Sequence, residues 1–411
     1  MDTHMETPLL LAQPAAAEPP KTAAGRLPLM AFVDGESEQV LQEAAVLLGR
    51  CVIMRGGIRK ATEYLTEQRS PHLLIVDISG INAPLSEIHA LADVCEPGTK
   101  VVALGDHNDI ALYRDLIEAG VTNYIVKPLT RDVLETLLNP KPSRDIGRSG
   151  LKLGKVISFT GARGGVGTTT LAANLAWHLA NKQGRRVALV DLDLQRGDCA
   201  MLFNVENMAG FRDALHHPMR MDAILLDRIM TQVGERLFIL GCVEPLDENV
   251  QCAISAIDAL FSVLRSQFQY VIVDVPRMPG PGFHRALEIA DRRVIVVDPT
   301  MRSMRDAVRI AHTFENDQSD AEIRLSRNAF VVNRIGEGGQ YALPLKDITD
   351  VLQSKPASLI PFLPKQVTPA AHHALIAASR RGKFTDGLAK LASEISGIRP
   401  RRDWRFWRGA R

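Results

Sequence analysis

What the chain has little of sets the first limits. Aromatic residues make up only 5% of its 411 residues, while aliphatic residues are plentiful. That balance suits Val, Ile and Leu strands packed on Ala- and Leu-rich helices. An excess of one charge is also missing: 49 Lys and Arg face 47 Asp and Glu. The chain as a whole is therefore no polyanion binder, and any basic surface is local. The five cysteines (Cys51, Cys95, Cys199, Cys242, Cys252) are odd in number, scattered and never spaced C-x-x-C. This argues against a disulfide framework or a zinc site and for buried thiols in a reducing compartment. No run approaches the ~20 apolar residues that span a bilayer. Near the start, Pro8 to Ala12 is apolar, but no Lys or Arg precedes it (Asp2, His4 and Glu6 come first) and Pro14 breaks it. Residues 1–27 therefore read as a disordered leader, not a secretory signal.

The stretch that is there, and that organises the rest, runs from Lys155 to Ala176. Val156 to Phe159 reads as a buried strand, and four glycines follow at 161, 164, 165 and 167. Leu171, Leu175, His178 and Leu179 then recur at helical spacing. Strand, glycine-rich loop and helix form a phosphate cradle: glycines let backbone N–H groups turn inward, and the helix presents its positive end. Thr169 stands where a Mg²⁺-holding hydroxyl belongs. The lysine that ordinarily precedes that hydroxyl is missing, and Thr168 takes its place.

Arg163-Gly164-Gly165-Val166-Gly167-Thr168-Thr169-Thr170 resembles the P-loop of the MinD/ParA ATPases, with Arg163 at the family's signature lysine and Thr168 at its P-loop lysine. Within that superfamily the chain looks most like the CpaE/TadZ proteins of tight-adherence (Tad/Flp) pilus assembly. The resemblance implies ATP and Mg²⁺ as cofactors, with nucleotide on Arg163 to Thr170. It makes Asp191-Leu192-Asp193 the switch I segment, with Asp193 activating water and Asp191 facing Mg²⁺. Asp274, ending the apolar run from Tyr270, holds Mg²⁺ as the Walker B acid. More weakly, it puts Asn333 on the base and Ile360-Pro361-Phe362 around the adenine. A hydrogen bond to a charged group is worth ~1.5–3 kcal/mol. Loss of the lysine therefore weakens binding modestly. A cation on the transferring phosphoryl can be worth 10³–10⁵ in rate, so at most a weak ATPase is expected. In the relatives, the residue at 163 reaches a partner's phosphates, which implies a homodimer.

Upstream, strands at Leu29 to Val33, Leu73 to Val76, Val101 to Leu104 and Asn123 to Val126 alternate with helices. This implies an α/β fold with a parallel sheet whose functional groups gather at carboxyl strand ends. The pattern is similar to the receiver domains of two-component signalling. Carried over, Asp77 is a phosphoacceptor, Asp34 a metal acid and Lys127 the phosphate partner. Gly35 replaces the second acid and Gly105 a hydroxyl, so a docking or dimerisation module with an idle Asp77 is the favoured reading; Glu36 has the wrong parity to substitute. The expected organisation is a leader (1–27), an atypical receiver-like domain (28–139), a Pro/Gly-rich linker (140–154), a MinD/ParA-like ATPase domain with a mostly parallel sheet (155–397) and a basic aromatic tail (398–411).

Arg302, Arg305 and Arg309 form a basic stripe on a helix predicted over Met301 to Glu315, read mainly as a solvated face. The tail combines arginines with Trp404, Phe406 and Trp407, a mixture suited to an anionic membrane surface. The family implies a cytoplasmic protein that meets pilus secretion machinery, peripheral at the inner membrane or a cell pole, with DNA a less favoured partner. Two alternatives stand beside it: a ParA/MinD-type positioning ATPase acting on DNA or septum, and a nucleotide-free scaffold.

Overall fold

The computed structural model describes residues 26–48, 51–138, 153–205, 208–247, 252–314, 327–372 and 375–396. Most of the expected leader and linker, and the tail, lie outside them.

The first unit alternates strand and helix: β1 (Leu29–Val33), α1 (Gly35–Leu48), β2 (Cys51–Arg55), α2 (Ile58–Glu67), β3 (Leu73–Asp77), α3 (Pro84–Val94), β4 (Lys100–Gly105), α4 (Ile110–Glu118), β5 (Asn123–Val126) and α5 (Arg131–Leu138). Its five strands are parallel in the order β2-β1-β3-β4-β5. Met30, Phe32, Leu74 and Val76 are buried towards one helical layer, and Ala31, Val33 and Ile75 towards the other. Burial on both faces explains near-continuous apolar runs in place of alternation. Sequence reading found neither β2 nor α2 nor α3. β2 is a half-buried edge strand, so its apolar signal is weak.

The second unit begins with β6 (Lys155–Gly161), α6 (Thr168–Asn181) and β7 (Val187–Asp191), then α7 (Cys199–Leu202), α8 (Phe211–His216) and α9 (Ala223–Ile229). It continues through β8 (Thr231–Gln232), β9 (Leu237–Leu240), α10 (Ile254–Gln267), β10 (Tyr270–Asp274), α11 (Pro281–Glu288), β11 (Arg292–Val297) and α12 (Met301–Thr313). It ends with β12 (Asn328–Ile335), α13 (Leu345–Leu352), β13 (Ser358–Pro361), α14 (Pro364–His372) and α15 (Lys383–Ser396). The sheet order is β13-β12-β11-β6-β10-β7-β9-β8, parallel except for the β8–β9 pair. Phe159, Ile272 and Val294 are fully buried on one face and Val156, Val271 and Val273 on the other. Each such side chain contributes about 1.5–3 kcal/mol of burial.

The units meet through the amino edges of their sheets. A crossover helix brings the chain back, so its carboxyl end lies at the edge where strands begin. There α2 and α3 offer unpaired carbonyls. Arg185 Nη1 donates to the Asp93 carbonyl at 2.6 Å, Arg236 Nη2 to Glu67 at 2.6 Å, and Gln269 Nε2 to Cys95 at 3.0 Å. Cations at helix carboxyl ends also meet the negative end of the dipole. Arg186 lies between the rings of Phe238 and Phe268, 4.5 and 4.9 Å away, and burial brings its pKa down to about 10. Arg26, read from sequence as leader, donates to the carbonyls of Ser70, Pro71 and Pro97. This arrangement leaves the carboxyl edges of the two sheets, and everything at them, facing apart.

Candidate functional site

At the outer edge of the first unit, Lys127 Nζ donates to Asp34 Oδ2 at 2.5 Å and Asp77 Oδ2 at 2.6 Å. β1 pairs with β3 in a register that sets Phe32 beside Val76, so the two acids emerge as neighbours. Burial works upward on the Asp34 carboxyl, but hydrogen bonds from Lys127 and Ser37 prevail and hold it at about 2. Burial likewise works downward on Lys127, and its two carboxylate partners raise it above its ordinary value. Glu36, Ser79 and Asp106 line the same cavity. Glu36 sits in the first turn of α1, so strand parity does not govern where it points. Gly105 answers to Tyr124: a Cβ there would lie 2.4 Å from the Tyr124 hydroxyl, which donates to the His107 carbonyl at 2.8 Å.

The outer edge of the second unit carries the glycine loop. Gly165 and Gly167 adopt positive φ (78° and 92°), a region that side chains with a Cβ avoid, and Gly167 caps α6. A Cβ on Gly161 would lie 2.5 Å from Thr168 Oγ1. The hydroxyl that replaces the lysine is thus folded back onto the start of its own loop. Asn333 belongs to β12 instead of following it, and its Nδ2 donates to the Val166 carbonyl at 2.7 Å. Ile360 is wholly buried in the core, so its side chain does not line a base pocket; Phe362, just past the strand, is 40% exposed.

Register brings the acids together here too, because Asp274 pairs with Asp191 on adjacent strands. Asp191 Oδ1 accepts the Asp193 N–H at 3.0 Å and Oδ2 the Cys199 N–H at 3.1 Å. Burial and the Asp191 charge push Asp274 up to about 7, against a hydrogen bond from Thr169. Burial pushes Asp191 to about 6, although the Cys199 and Asp193 N–H groups pull the other way. Among the described residues no Lys or Arg bonds to either carboxylate. Two buried oxygen donors that repel each other, with a hydroxyl beside them, fit a hard dication. Asp193, half-buried, accepts the Arg196 N–H at 2.9 Å and stands on the loop that leaves this pair.

Arg163 is turned inward within its own chain. Its Nη2 pairs with Asp298, which follows β11, is 1% exposed, and also accepts from Thr300 Oγ1 at 2.8 Å. Sequence reading missed Asp298 and Cys199, since neither belongs to a spaced motif. The Asp191, Cys199 and Asp274 donor atoms lie within 4.8 Å of one another.

Residues 154–326 match the AAA domain family. Over 251 residues the chain is 28% identical to the septum site-determining protein MinD of Bacillus subtilis, covering 60% of this chain and 90% of that protein. A chain of the MinC:MinD cell division protein complex of Aquifex aeolicus superposes with a TM-score of 0.50 at 25% identity, covering 61% of this chain and 99% of that one. The second unit has a MinD/ParA-like P-loop fold. A pilus assembly protein CpaE from Caulobacter crescentus is 34% identical over 28% of this chain and 91% of its own, with a TM-score of 0.26. In the MinD/ParA-type unit, the glycine loop, Thr169, Asp191 and Asp274 converge on one point above the sheet. No helix among the described residues is long and apolar enough to cross a membrane.

Proposed function

We propose that this chain is an ATP-binding localisation or assembly factor for tight-adherence pilus biogenesis, a homodimer in the presence of Mg·ATP with turnover weak or absent. One observation carries the reading: a receiver-like sheet precedes a MinD/ParA-type sheet whose P-loop has Thr168 for lysine. The sequence resemblance to CpaE/TadZ proteins rests on the same combination. Gly164 to Thr170 cradle the phosphates with backbone N–H groups. Asp191, Asp274 and Thr169 would hold Mg²⁺, which supplies neutralising charge on the phosphate oxygens. Asp193 orients water. Arg163 exchanges Asp298 for a partner's phosphates, to which guanidinium binds bidentately. Asp77 and Asp34 are held by Lys127 in a docking module that meets the pilus machinery.

Calorimetric titration with Mg·ATP, paired with a turnover assay, tests this. Saturable binding with turnover far below that of lysine-bearing relatives supports it. No binding moves the nucleotide-free scaffold to the front.

A second reading, a positioning ATPase acting on DNA or septum, is favoured by the similarity to septum site-determining proteins. The exposed Arg302, Arg305 and Arg309 on α12 supply a basic face for it. Retention on DNA that falls steeply with salt would select this reading.

A further inference from the structure

The amino edges of the two sheets leave a cleft of about 430 Å³ between the units. Ala92, Val101 and Ala119 line it from the first unit, and Leu153 and Tyr270 from the second. Two exposed acidic residues, Asp93 and Glu118, contribute to its wall. Ser396, the last residue of α15, is part of that wall, and its carbonyl accepts a hydrogen bond from Lys155 Nζ at 3.3 Å. The fifteen residues that follow carry six arginines, one aspartate, and Trp404, Phe406 and Trp407.

We propose that this carboxy-terminal segment, residues 397–411, folds back into the cleft of its own chain, with a tryptophan ring between the units and an arginine on Glu118.

The argument is one of position, charge and chemistry. Trp404 lies eight residues beyond Ser396 and can reach up to roughly 28 Å. The segment starts at the cleft wall, so a short loop suffices and closing it costs little. Residues 28–139 carry nine Lys and Arg against sixteen Asp and Glu, so the first unit is acidic while the segment is strongly basic. Ala92, Val101, Ala119 and Leu153 on the cleft wall offer cover for a ring, whose burial removes 150–250 Å² from water. The linker also arrives here, at Leu153, but residues 139–152 hold no aromatic side chain. Docked, the segment bridges both units; released, its arginines and rings are free for another anionic surface.

The chain has three tryptophans, so Trp177→Phe leaves Trp404 and Trp407 as the only reporters. Trp177 is half-buried on α6, outside the nucleotide loop. In the full-length variant without lipid, we expect blue-shifted emission and several-fold weaker acrylamide quenching than in a free peptide of residues 397–411. The protection should be independent of protein concentration. Adding Glu118→Lys, or raising salt so that the Debye length falls from about 10 Å to about 3 Å, should restore most of the quenching. Glu118 is exposed, and circular dichroism checks that the variant stays folded. Peptide-like quenching in the full chain would overturn the proposal. So would protection that grows with concentration, which assigns the segment to a second copy. So too would protection seen only with phosphatidylglycerol vesicles, which assigns it to a membrane.

Discussion

Each sheet brings two aspartates together at its carboxyl edge, and the two edges differ in what neutralises them. In the first unit the cation is built in: Lys127 bonds to both Asp34 and Asp77. In the second, no basic side chain among the described residues bonds to Asp191 or Asp274, and the loop lysine is a threonine. Arg163, the nearest substitute by sequence, is engaged with Asp298. A self-neutralised cluster is structurally satisfied and has little left to bind. An uncompensated buried pair holds protons, or a dication, at neutral pH. The comparison separates a self-neutralised acid pair from an uncompensated one.

The largest expected effect comes from giving the second site its cation. Thr168→Lys should raise ATP turnover at least tenfold, within the 10³–10⁵ that such a cation can supply. Unchanged turnover would remove this loop from the chemistry. The converse change takes the cation from the first site. Lys127→Met leaves two carboxylates facing each other and should cost about 1–3 kcal/mol of the first unit's stability in denaturant titrations. A loss near zero would mean that the lysine is solvated and the site open. The Asp34 contribution has a sign of its own. Its folded pKa is depressed, so its stabilisation is complete above the ordinary carboxylate range and disappears as pH falls towards 2.

At the second site the sign is opposite. Asp274 and Asp191 titrate higher in the folded chain than in the unfolded one, so the folded state binds more protons between about pH 4 and 7. Without metal, stability should therefore fall as pH rises through that window. Asp274→Asn should flatten the fall and raise Tm at pH 8 by a few degrees, at about 2–4 °C per kcal/mol. Mg·ATP should restore the wild type at pH 8. The same pH slope in both proteins, measured in chelator, would contradict the assignment. The last effect is on the latch. Arg163→Ala leaves the buried Asp298 carboxylate without its cation, with Thr300 still donating to it, and should cost about 1–3 kcal/mol, while abolishing any ATP-driven assembly.

Much of this was legible because it is local. The run from Lys155 to Ala176, the D-x-D at 191–193 and the Tyr270–Asp274 strand each carry strand, turn or helix signals within a few residues. Their convergence follows from parallel register. Partners far apart in sequence leave no such trace. Arg163 meets Asp298 across 135 residues, and Arg185 meets the Asp93 carbonyl across 92. Gln269 and Glu96 look like surface residues until the amino edges of two sheets close over them. β2 escaped because Cys51 to Arg55 is an edge strand that is only half covered.

The most direct test of the account is the solution mass by light scattering, with and without Mg·ATP. The account predicts a monomer that becomes a dimer only with Mg·ATP, and a variant lacking the Arg163 guanidinium that stays monomeric. A mass unmoved by nucleotide, under conditions where calorimetry shows ATP bound, would contradict it.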